Sequence, residues 1–75
     1  MEFDLPEYLC EKTYGFPEYS YGANKVTLLL NDGRRIQHVL LAWGRTIVKI
    51  KEKKIEKDED LPFKIKDIID VISEV

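Results

Sequence analysis

The stretch Val26-Thr-Leu-Leu-Leu-Asn-Asp-Gly-Arg-Arg-Ile-Gln-His-Val-Leu-Leu-Ala-Trp-Gly44 decides the fold of this chain. Val26, Leu28 and Leu30 alternate with Lys25, Thr27 and Leu29, the period of two that marks a strand with one buried face. Asn31-Asp32-Gly33 follows, and its glycine supplies the positive φ that a tight strand reversal requires. Arg35–Trp43 reads as a second, long strand, and Thr46–Lys51 as a third beyond the turn at Gly44. Polarity slips between Gln37 and Val39, which predicts a bulge or strong bend where one strand serves two sides of a barrel. In the third strand Ile47 and Lys49 are expected to face one way, Ile47 as a rim residue, and Thr46, Val48 and Ile50 the other. Residues 25–51 thus form a three-stranded antiparallel meander, the heart of a small β-barrel.

Residues 1–24 read as an irregular arm, punctuated by Pro6, Pro17, Gly15 and Gly22. Pro6 suits the first position of a short helical turn, which would place Leu5, Tyr8 and Leu9 on one face. The run Tyr14-Gly-Phe-Pro-Glu-Tyr-Ser-Tyr21 is rich in aromatics and is expected to pack across an open end of the barrel, with Phe16 and Trp43 in the core. Residues 52–60 form a charged loop in which Ile55 is the one buried residue of a short edge strand, flanked by protective lysines.

Residues 61–75 have two readings. Ile65, Ile68, Ile69, Ile72 and Val75 fit the spacing of an amphipathic helix, which would make the fold α+β. The competing reading makes Phe63–Ile65 extended, Lys66-Asp67 a tight helical turn and Ile69–Glu74 a final strand. The β-branched residues in this segment favour the strand, which also closes a barrel of about five strands. The fold expected is therefore mainly β, with the helix as its alternative.

A chain of 75 residues makes one domain with a thin stability margin. Its 44% hydrophobic content and net charge of −2 argue against disorder. A single cysteine, Cys10, makes no internal disulfide, and no basic n-region or long apolar run suggests export or a membrane span. A cytoplasmic protein without membrane contact is the expectation. Charge is uneven: residues 1–24 carry five acids against one base, residues 25–54 eight bases against two acids, and residues 55–75 seven acids against three bases. Either the acidic flanks fold over a basic sheet and neutralise it, or the middle segment is a basic face for an anionic partner.

Val26-x-Leu28-x-Leu30-x-Asp32-Gly33-Arg34, with Val39-Leu-x-x-Trp43 after it, resembles the first motif of the Sm-like proteins. In that family alternating apolar residues lead to a glycine-containing reversal and a second strand ends at an aromatic. The likeness covers about a quarter of the chain. His38 or Val39 stands where the family has a mid-strand glycine, Gly44 where it has an acid, and its second motif has no counterpart in residues 52–75. What the resemblance implies is an SH3-like or Sm-like barrel architecture, and folds of this type host many unrelated roles.

No constellation for catalysis, metal or cofactor is expected. Cys10 and His38 are the only soft ligands, without metal-site spacing. As a nucleophile and base they are not brought together by sequence, and the acidic neighbours of Cys10 disfavour a thiolate. The four glycines are isolated, so no phosphate loop exists. The expected function is a non-catalytic protein-binding module, possible as a self-associating one through a patch of Leu29, Leu40 and Ile47. The alternative is Sm-like nucleic-acid (RNA) binding through the basic strands of residues 34–51. The candidate contact residues are Arg34, Arg35, Arg45, Lys49 and Lys51, with Tyr19 and Tyr21 as stacking faces.

Overall fold

Five strands form one antiparallel sheet in the order β4-β3-β2-β1-β5, in a computed structural model that describes residues 3–75. The strands are β1 (Ala23–Leu30), β2 (Arg35–Ala42), β3 (Thr46–Ile50), β4 (Lys53–Lys54) and β5 (Ile68–Ser73). A helix, α1 (Glu7–Thr13), precedes them, and short 3₁₀ turns occupy Asp58–Asp60 and Ile65–Asp67. No helix among the described residues is long and apolar enough to cross a membrane.

The Asn31–Arg34 reversal closes as the residue types dictate. Gly33 takes φ +92°, its N–H donates to Leu30 O at 3.0 Å, and the Asp32 carboxylate accepts from Arg34 N–H at 3.0 Å. Val26, Leu28 and Leu30 then point inward with Val39 and Leu41 of β2, all at most 1% exposed. Ile47, Ile50, Ile55, Phe63, Ile68 and Val71 complete this core from the other strands and loops.

The expected bulge is present. Val26 pairs with Val39 but Leu28 with Ile36, so Gln37 and His38 together oppose Thr27 alone. His38 adopts φ +60°, a costly conformation for a residue with a Cβ. Glu74 compensates from beyond the end of β5. Its carboxylate accepts from His38 N–H at 2.8 Å and from Thr27 Oγ1 at 2.6 Å, and lies 3.1 Å from His38 Nδ1. Glu74 N–H in turn donates to Lys25 O at 2.9 Å. One carboxylate thereby joins β1, β2 and the C-terminal end of the chain.

A second irregularity corrects the reading of β3. Leu40 pairs with Lys49 but Leu41 with Ile47, leaving Val48 as the extra residue. Ile47 and Ile50 therefore both face the core, and Val48 is exposed. The outer patch of Leu29, Leu40 and Ile47 does not form, because Ile47 is 1% exposed. Simple alternation fails here because a bulge resets the phase of the strand.

The arm is not wholly irregular, although its first two residues lie outside the described ones. Its helix α1 runs two turns and buries Leu9, Cys10 and Thr13, while Tyr8 is exposed rather than on the buried face. A helix this short is marginal alone, so packing must hold it. Lys12 Nζ meets Asp70 Oδ1 at 2.7 Å, and Tyr8 OH donates to Ile68 O at 3.4 Å, tying α1 to β5. Thr13 Oγ1 donates to Gly44 O, tying its last turn to the β2–β3 connection. Ahead of the helix, Leu5 N–H donates to Arg45 O and Ile47 N–H to Phe3 O, so the leading residues cover part of the outer edge of β3. The aromatic run does not plug the interior: Tyr14, Tyr19, Tyr21 and Trp43 are exposed and Phe16 is half-buried.

The C-terminal segment follows the strand reading, including the tight turn at Lys66-Asp67, and the helical alternative does not form. The helical spacing of its isoleucines is coincidental: Ile68 and Val71 are buried while Ile69 and Ile72 are exposed. Ile55 is buried at 7% beside the two exposed lysines of β4, as the charged loop predicted.

Two outcomes follow from these contacts. Burial pushes the Glu74 carboxyl up, but hydrogen bonds from Thr27 and His38 and the His38 charge outweigh it and hold it below the usual range. The stabilisation it brings is thus present above the ordinary glutamate pKa of about 4.3 and lost as pH falls through the lower folded value. Glu74→Gln should cost about 1–2 kcal/mol at pH 7 and flatten the acid limb of stability measured by urea titration. Equal acid slopes in both proteins would contradict the clasp. Gly44→Ala meets φ +70° and places its Cβ 2.9 Å from Thr13 Oγ1. It should cost about 2 kcal/mol in a thermal melt, against a negligible effect for a surface substitution such as Lys66→Ala.

Candidate functional site

The two bulges place one face of the sheet at the centre of a basic groove. Lys25 pairs with Leu40, Leu40 with Lys49, and Lys49 with Lys54. Residues directly opposite across a sheet share a face, so these four form a row across β1 to β4. Lys25, Leu40 and Lys49 line a groove of about 340 Å³, together with Tyr19, His38, Lys51 and Glu52. Leu40 gives it an apolar floor. Lys25 Nζ sits 5.0 Å from the centroid of the Tyr19 ring, a cation–π contact that couples the tyrosine to the row of charge.

The flanks leave these cations uncompensated. Among the described residues no carboxylate lies within 4.0 Å of Lys25, Lys49, Lys51 or Lys54. Glu52 is the one acid in the groove wall, and the His38 ring is engaged by Glu74.

The candidate contact residues fall into separate places. Lys49, Lys51 and Tyr19 converge on the groove. Arg34 sits at the hairpin tip, its Nε 2.8 Å from Asp32 Oδ2. Arg35 opens β2 opposite Leu29 and is exposed, outside the groove. Arg45 lies in the β2–β3 connection, bound to Glu7 at 3.0 Å, to Tyr14 OH at 2.6 Å and close to Asp4. The Glu7 carboxylate and the Tyr14 hydroxyl push its guanidinium further toward the charged form. Arg34 and Arg45 are thus neutralised within the chain, and the expected stripe of five bases is divided. Tyr21 belongs to a different surface, where it meets Trp43 edge to face at 5.7 Å and 82°.

Sequence reasoning did not assign Lys25, His38, Leu40 or Glu52 to the basic contact surface. The alternation placed Lys25 and Leu40 on outer positions, but only the register set by the bulge at Gln37-His38 makes them neighbours.

Backbone strain marks the same places. Among the described residues, the four non-glycine residues with positive φ are His38, Trp43, Lys51 and Glu52. His38, Lys51 and Glu52 line the basic groove, and Trp43 lines a smaller pocket beside the β2–β3 connection. Lys51 and Glu52, at φ +50° and +74°, form the two-residue connection between β3 and β4, where asparagine and glycine fit with less strain.

Cys10 is fully buried, its thiol directed at Leu5 O, and burial pushes its pKa up. It stands in the core, and His38 stands on the exposed bulge, so the two do not meet. Among the described residues no three His, Cys, Asp or Glu side chains cluster closely enough to hold a metal ion. The groove presents three ammonium groups, an aromatic ring and an apolar floor. Compared with protein-family models, with curated proteins and with solved structures, the chain matches none.

Proposed function

We propose that the protein is a non-catalytic binding module that holds an acidic, extended segment of a partner protein in the basic groove. The convergence of Lys25, Lys49 and Lys51, free of ion pairs among the described residues, on the Leu40 floor carries this reading. In a chain of net charge −2, a patch left unneutralised by nearby acids is complementary to an anion. An SH3-like or Sm-like barrel is the architecture within this proposal. The strand order, the bulge in β2 and the 3₁₀ turn leading into β5 support it. Self-association belongs to the same reading, supported by the exposed Ile69 and Ile72 on the edge strand β5.

Tyr19 favours a second reading, single-stranded nucleic acid, since an aromatic beside lysines offers a stacking face for a base. A labelled deca-glutamate peptide and a deca-uridine oligonucleotide, each titrated at about 50 and 200 mM salt, separate the two. The peptide is expected to bind, to weaken with salt, and to lose at least tenfold in affinity to the Lys49→Glu, Lys51→Glu double variant at unchanged melting temperature. Binding of the oligonucleotide alone would replace the first reading by the second, and binding of neither would remove both. Glu52→Gly should raise stability by about 1 kcal/mol, because it relieves a positive φ, and should tighten anion binding by removing the acid of the wall. A lower melting temperature in that variant would contradict the strain argument.

A further inference from the structure

The pocket beside the β2–β3 connection has a chemistry opposite to that of the groove. It encloses about 150 Å³ and is lined by Tyr14, Phe16, Glu18, Gly22, Asn24 and Trp43, among others. Three of its walls are aromatic, one is a carboxylate, and no lysine, arginine or histidine lines it.

Trp43 occupies the first central position of the β2–β3 turn, which Arg45 N–H closes onto Ala42 O at 3.0 Å and which calls for positive φ there, a place asparagine or glycine fills with less strain. It holds φ +55°, where a bulky side chain is strained, and it is 65% exposed, so burial returns little of that cost. The surrounding chain is fitted to it. Trp43 N–H donates to Gly22 O at 2.8 Å, and a Cβ on Gly22 would stand 2.9 Å from Trp43 Cζ2. Gly22, at φ +71°, therefore lets the indole lie against the backbone, and the 91% exposed Tyr21 braces it edge to face. Glu18 is positioned by its own bond, with Oε2 accepting from Gly22 N–H at 3.0 Å, and Oε1 has no partner among the described residues. The buried Asn24 fixes the loop by donating to Pro17 O at 3.2 Å.

We infer that this pocket binds a cationic side chain, arginine or lysine, presented by a basic peptide segment of a partner protein. Aromatic faces attract a cation through their quadrupole, and a carboxylate beside them supplies the matching charge. The volume suits one side-chain head group. Arg45, which reaches the Tyr14 hydroxyl from behind, is offset by Glu7 and Asp4 and does not cancel the site. The inference does not rest on the basic groove.

Trp43 is the single tryptophan of the chain, so its fluorescence reports on the pocket directly. The full chain is titrated with a blocked (Gly-Arg)₃ peptide and, for comparison, with (Gly-Gln)₃ and (Gly-Pro)₃ of equal length. The arginine peptide should give a saturable change, and the other two should bind at least tenfold more weakly. Glu18→Gln, on an exposed residue, should weaken the arginine peptide at least fivefold. Trp43→Leu should abolish its binding by calorimetry at a melting temperature within a few degrees of the parent. Lys49→Glu, which disables the groove, should leave the affinity within about threefold. Absence of a saturable change, an equal response to the glutamine or proline peptide, or full affinity in Glu18→Gln would each overturn the proposal. Should Trp43→Leu fail to fold, the Glu18→Gln titration decides.

Discussion

The structure depends on the bulge at Gln37-His38 and on the carboxylate that stabilises it. Without the extra residue, β2 would run in simple phase with β1, and the inward side chains at its two ends could not both reach the core. The bulge changes that phase, so Ile36 meets Leu28 and Val39 meets Val26. Such an insertion strains a non-glycine residue and unpairs a backbone N–H. Glu74 answers both by accepting from that N–H and from Thr27. A charged acceptor is worth more here than a neutral one, because the site is mostly shielded and the bond is charge-assisted. Glu74 is also bonded through its own backbone to Lys25, so the end of the chain fixes the strands that carry the groove.

A 75-residue domain has little stability to spare, yet among its described residues this one keeps four side-chain-bearing residues in left-handed conformations. Each lines one of the two concave surfaces. Asparagine or glycine would sit in those conformations more cheaply, and neither would present a charge, an imidazole or an indole. The strain at Trp43, Lys51 and Glu52 sits in strand reversals and that at His38 in the bulge that sets the register, and all four residues are exposed.

Electrostatics divides the surface. The acidic flanks do fold toward the basic sheet, but selectively. Asp4 and Glu7 hold Arg45, and Asp70 holds Lys12, which fastens the N-terminal segment to β3 and α1 to β5. These exposed pairs orient elements more than they stabilise them. The lysines of the groove receive no such partner among the described residues, so the net charge of the chain conceals a local excess of positive charge.

The sequence by itself determined the meander. Alternation in Val26–Leu30, the Asp32-Gly33 reversal and the polarity slip after Gln37 are local signals, and local sterics and burial read them directly. The choice of strand over helix at the C-terminus was legible in its β-branched residues. Helix α1 was only partly legible, because seven residues make a helix by packing against neighbours rather than by propensity. The phase of β3 was not legible: Ile47 and Ile50 both turn inward through a bulge at Val48 that appears only in the pairing with β2. The exposure of Trp43 was equally hidden, since the residue stands at the β2–β3 turn and its indole rests on Gly22, twenty-one positions earlier in the chain, rather than in the core. Among the candidate contacts, residue type identified Lys49, Lys51 and Tyr19 as able to bind, but could not exclude Arg34 and Arg45. Which charges are cancelled and which converge is a matter of distance between remote segments, and only the tertiary structure sets those distances.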